Sequence, residues 1–79
     1  MPHPNQTDDE MLAEIGKLNG SQRAYMRRQF ASLYPGVHTV WVSSVGWKTR
    51  VEITSGGLRQ TYELGPRGKL LARDVAEAA

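Results

Sequence analysis

The dipeptide Gly56-Gly57 constrains this chain more than any other feature. It separates "WKTRVEIT" (residues 47–54) from "LRQTYEL" (residues 58–64), two alternating runs rich in β-branched and aromatic side chains. Adjacent glycines tolerate the positive φ angles that a two-residue primed turn demands, so the runs should close as a β-hairpin. Val51 then opposes Tyr62 and Thr49 opposes Leu64 on one face. Arg50 opposes Glu63, Glu52 opposes Thr61 and Thr54 opposes Arg59 on the other. Every apolar residue falls on the first face, as a correct register requires.

A third run, "VHTVWVS" (residues 37–43), precedes the hairpin. A tight turn at Ser44-Val45 would put Val42 opposite Trp47 and Val40 opposite Thr49 on the core face. Trp41 would then oppose Lys48, and Thr39 would oppose Arg50, on the outer face. That face would read Thr39, Trp41, Lys48, Arg50, Arg59 and Thr61: an indole among cations, the chemistry of a nucleic-acid platform, where bases stack and phosphates are neutralised. Two alternatives stand beside it. A covering helix or a one-residue bulge would send Trp41 into the core, the commoner fate of tryptophan in a small domain, and Arg50 can be spent on Glu63 across the strands.

Before the strands the periodicity is helical. Residues 1–6 read as a disordered tail, and 7–79 as one small domain. "TDDE" (residues 7–10) has the form of a capping box, with Met11, Leu12, Ile15 and Leu18 following at helical spacing and Asn19-Gly20 as a left-handed stop. Ser21 can cap a second helix running to Tyr34, where Pro35-Gly36 ends it, with Met26, Phe30 and Leu33 as its apolar stripe. Arg23 and Arg27 share one flank of this helix and could contact phosphates, or be ordinary solvated arginines. The two helices can form a helix-turn-helix or a plain helical hairpin. After the strands, "GPRG" (residues 65–68) breaks the chain, and "KLLARDVAEAA" reads as a last helix with Leu71, Val75 and Ala78 on one side. The expected class is α+β, order ααβββα, with helices packed on a three-stranded antiparallel meander.

The glycine-rich loop followed by a basic, alanine-rich helix resembles the end of a double-stranded-RNA-binding domain, with Lys69, Ala72, Arg73 and Ala76 where that resemblance wants them. It implies phosphate contacts from Lys69 and Arg73. Leu70 stands where a basic residue is usual, and the first inter-strand loop is too short to reach a minor groove, so the chain is not assigned to that family.

Composition narrows the function. All ten Lys and Arg lie in residues 17–79 against four acids, a local +6, while residues 1–16 hold four acids and no base. A basic body of this kind suits a phosphate backbone or an acidic protein. There is no cysteine, no apolar run of bilayer length and no secretory leader at the start, which points to the cytoplasm. His3 stands in the tail and His38 opens a strand. No nucleophile elbow, phosphate-cradling loop, metal-ligand spacing or carboxylate pair suggests catalysis, a metal or a cofactor. The expected function is therefore a non-enzymatic binding module. Nucleic acid is the first candidate, through Arg23, Arg27, Trp41, Lys48, Arg50, Arg59, Arg67, Lys69 and Arg73 on one contiguous basic surface. The alternative is an inhibitor or adaptor of phage type that docks an acidic protein or offers a strand edge (residues 37–43 or 58–64), as a single chain or as a homodimer.

Overall fold

The computed structural model of the chain describes residues 6–29 and 38–77. The order is ααββββ: α1 Asp8–Ile15, α2 Gly20–Gln29, β1 His38–Val45, β2 Lys48–Ser55, β3 Leu58–Leu64 and β4 Leu70–Glu77. The class is α+β, and the sheet is a four-stranded antiparallel meander, β1-β2-β3-β4. The expected helical continuation to Tyr34, its stop at Pro35-Gly36, and the roles given to His3, Phe30, Leu33 and Ala78 lie outside the described residues.

The β2–β3 register is the one Gly56-Gly57 dictates, with Val51 against Tyr62 and Arg50 against Glu63. Both glycines have positive φ, 58° and 81°, as a type I′ turn needs. The first hairpin corrects the sequence reading. Its turn is Gly46-Trp47 and not Ser44-Val45, so Val42 faces Val51, Val40 faces Ile53, and Trp41 faces Glu52. Gly46, at φ 64°, supplies the one positive φ of a type II′ turn, whereas Ser44-Val45 would force a β-branched residue into a turn. The slip spans an even number of residues, so every side chain that stays in a strand keeps its face.

The larger correction is at the C-terminus, where residues 70–77 form a strand and not a helix. The turn that precedes it is tight: Gly65 N–H donates to Lys69 O at 2.8 Å and Gly68 N–H to Gly65 O at 3.0 Å. The chain is thereby returned directly alongside β3, whose outer backbone groups need partners. Satisfying them outweighs the helix preference of an alanine-rich segment, which is a weak prior. A bulge between Glu63 and Leu64 adjusts the pairing, so that Glu63 faces Ala72 but Leu64 faces Leu70.

The helices cover one face only. Met11, Leu18 and Met26 meet Val40, Val42, Val51, Ile53, Tyr62 and Leu64 in a single buried cluster. At α1 the capping box forms as expected, Thr7 Oγ1 accepting from Glu10 N–H while Glu10 Oε1 accepts from Thr7 N–H. The junction between the helices differs from expectation. α1 ends at Gly16, and Asn19 caps the start of α2: its Oδ1 accepts from Gln22 N–H at 2.9 Å and its own N–H donates to Gln22 Oε1 at 3.1 Å. This second capping box takes the place of Ser21 as the cap.

Polar side chains fix the helices to the sheet. Gln22, almost wholly buried, donates its amide to Thr49 Oγ1 and to Gly65 O, joining α2 to β2 and to the β3–β4 turn. Gln6, grouped with the tail by the sequence, is also buried: its amide accepts from Val40 N–H and donates to Val40 O, both at 2.7 Å. Glu14 Oε1 accepts from Val42 N–H at 2.8 Å, while Oε2 meets Lys17 Nζ at 2.6 Å.

Desolvation by itself would raise the Glu14 pKa. The Lys17 and Val42 hydrogen bonds and the Lys17 charge outweigh it and hold the carboxyl below its ordinary 4.5. A depressed carboxyl stabilises the fold fully above its unfolded pKa, and that contribution is lost as pH falls through the folded value. Urea denaturation followed from neutral pH to below 4.5 should therefore show an acid-side loss of stability that Glu14→Gln reduces.

Candidate functional site on the uncovered sheet face

Because both helices lie on one side and the third expected helix is a strand, the opposite sheet face has no cover among the described residues. Alternation along β1, β2 and β3 puts Thr39, Trp41, Lys48, Arg50, Arg59 and Thr61 on it together, as the sequence suggested. Trp41 is 46% exposed, so the competing core placement does not hold.

Trp47 was missed. The sequence reading put it on the core face, but it stands in the β1–β2 turn at 66% exposure. Its ring edge, Cζ3, lies 3.7 Å from where a side chain on Gly65 would begin, and Leu71 Cδ1 borders the same point at 3.9 Å. Lys48 Nζ stands 5.9 Å from the Trp47 ring centroid. The signal for this placement was the Gly-x order at residues 46–47, which a type II′ turn accepts.

Acids interleave with the bases on this face. Lys48 Nζ lies 3.8 Å from Glu63 Oε2, and Arg59 Nε lies 3.9 Å from Glu52 Oε1. Both pairs run diagonally between strands, and exposed pairs at this separation are each worth at most about 1 kcal/mol. Arg50 faces Glu63 in the ladder, but the carboxylate's ion pair is with Lys48. Asp74, opposite Thr61, brings the acids to three, with Glu52 and Glu63, against Lys48, Arg50 and Arg59. The face is electrically balanced despite the basic composition of the chain.

The remaining basic residues are elsewhere. Arg67 and Lys69 sit in and beside the β3–β4 turn. That turn is fastened to the start of α2 by a 2.7 Å hydrogen bond from Asn19 Nδ2 to Pro66 O. Arg23 and Arg27 line an apolar groove on the helix side with Leu12, Ile15 and Met26, and Arg23 donates to Leu18 O. Arg73 also faces the helix side: it opposes Tyr62, its guanidinium carbon 5.6 Å from that ring. The nine residues do not form one contiguous basic surface, because the sheet separates Arg23, Arg27 and Arg73 from Lys48, Arg50 and Arg59. The likeness of residues 65–79 to an RNA-binding helix also lapses, since residues 70–77 are a strand.

Among the described residues no group of His, Asp or Glu is placed to hold a metal ion, and no helix is long and apolar enough to cross a membrane. No family model, curated protein or solved structure matches the chain.

Proposed function

We propose that this chain is a non-enzymatic binding module that docks a partner protein on its uncovered sheet face, with Trp41 and Trp47 as the side chains buried on binding. The observation that carries this reading is the exposed Trp41 on a face where cations and acids alternate, with the exposed Trp47 in the turn that joins β1 to β2. Tryptophan supplies large contact area at low entropic cost and dominates interface energetics, while a balanced ring of charges sets orientation more than affinity. An adaptor or inhibitor of a cytoplasmic protein fits this description, and the absence of cysteine suits that compartment.

The test uses the two tryptophans, the only ones in the chain, as both probe and target. Their fluorescence should be that of water-exposed indoles, open to iodide quenching, and should shift to the blue and become protected when a partner captured from host lysate is added. Trp41→Ala with Trp47→Ala should weaken capture at least a hundredfold, about 2.7 kcal/mol or more, while the circular dichroism spectrum is unchanged. Capture that survives the double substitution would remove the proposal.

A second reading, nucleic acid, draws support from Lys48 beside the Trp47 ring and from Arg67 and Lys69 in the adjoining turn. It differs in salt response: binding to labelled single strands or duplexes should fall steeply as salt rises. No binding at low ionic strength would dismiss it.

A further inference from the structure

The two edges of the sheet are treated differently. A two-residue turn is closed by a hydrogen-bonded pair, so the backbone groups of Val45, Ser43 and Trp41 point to β2 and those of Val42 and Val40 point outward. Three of these four outward groups are occupied: Gln6 takes Val40 N–H and O, and Glu14 takes Val42 N–H. The β1 edge, expected to be available, is thus largely blocked, and residues 58–64 lie inside the sheet.

The β4 edge carries no such protection among the described residues. By the same alternation Ser55–Leu58 closes the second hairpin, so Arg59, Thr61 and Glu63 direct their backbone groups to β4, at Ala76, Asp74 and Ala72. Arg73 and Val75 therefore present N–H and C=O outward. The strand contains no proline or lysine, and Val75 is 47% exposed. Natural edges are normally blunted, and an open one is a template for another strand.

We infer that β4 pairs antiparallel with β4 of a second copy, about a twofold axis through Val75, to form a continuous eight-stranded sheet. The charges select that register. With Val75 opposite Val75 of the second copy, Arg73 faces Glu77 of the partner on the helix side, twice over, and no like charges are opposed. A register centred on Asp74 sets the two aspartates against each other, and one centred on Arg73 opposes the two arginines, which is unfavourable in either case. Because Gln6 and Glu14 occupy the β1 edge, the contact closes at two copies and does not propagate into a filament. The dimer does not depend on the docking reading above. If both hold, two uncovered faces lie side by side and present four tryptophans.

Sedimentation equilibrium from micromolar to millimolar protein tests this. The native chain should move from one-chain to two-chain mass as concentration rises. Val75→Pro removes an outward N–H while leaving the ladder to β3, so it should stay monomeric with the native circular dichroism spectrum. Glu77→Arg should raise the dimer dissociation constant about tenfold, and the double exchange Arg73→Glu with Glu77→Arg should restore it. A native chain that is monomeric throughout, a dimer that survives Val75→Pro, or a Glu77→Arg dimer of native affinity would each overturn the proposal. Should Val75→Pro unfold, the Glu77→Arg exchange and its rescue decide alone.

Discussion

Gly68→Ala is expected to lower the unfolding free energy by about 2–5 kcal/mol, a large share of what a domain of this size commands. Two effects coincide at that position. Gly68 has φ 79°, where a β-carbon is strained, and the added carbon would lie 2.6 Å from Ser21 O and 2.8 Å from Ser21 C. Both are backbone atoms of the first turn of α2 and cannot rotate aside. The turn or the helix must therefore shift, endangering the bonds from Asn19 to Pro66 O and from Gln22 to Gly65 O. Gly56→Ala provides the control: its φ is 58°, but the added carbon meets nothing within 4 Å. Its cost should be the backbone strain alone, about 1 kcal/mol. Urea denaturation of both variants measures the difference, and equal losses would mean that the approach of the turn to α2 contributes nothing.

Tyr62→Ala is expected to cost about 3–5 kcal/mol. Tyr62 is 2% exposed at the centre of β3, meets the Tyr25 ring edge-on at 6.5 Å, and lies under the Arg73 guanidinium. Its hydroxyl donates to Gln60 Oε1 at 2.8 Å. Tyr62→Phe keeps the packing and removes the hydroxyl, so it should cost only about 0.5–1.5 kcal/mol. Thermal and urea unfolding of the pair separates the ring from its hydroxyl. A Phe variant as unstable as the Ala variant would show that the polar contact, and not the packing, holds this part of the core.

The strands around Gly56-Gly57 were legible because their determinants are local. Two glycines set the turn, alternation sets the faces, and Val51, Ile53, Tyr62 and Leu64 could be assigned to the core without knowing what covers them. Thr7 with Glu10 was legible for the same reason: a capping box is complete within four residues. The Gly46-Trp47 turn was also local, and attention to which residues accept positive φ would have placed it. Gln6 and Gln22 gave no comparable signal, since a glutamine becomes structural only when a distant backbone group arrives to meet it. Val40 is 34 positions from Gln6 and Gly65 is 43 from Gln22.

The candidate site divides along the same line. Alternation alone determined that Trp41, Lys48, Arg50 and Arg59 share one face, and the turn correction left that unchanged because it moved the pairing by an even number of residues. Whether that face is open depended on the fate of residues 70–77. As a helix they could have covered Trp41; as β4 they extend the sheet and leave it bare. Local propensity favoured the helix by a few tenths of a kcal/mol per residue. The unpaired edge of β3 offered a row of backbone hydrogen bonds, a long-range term that no window of sequence contains. Local chemistry thus determined β1, β2 and β3 and their faces, and the tertiary structure decided that residues 70–77 join them as a strand and which face meets solvent.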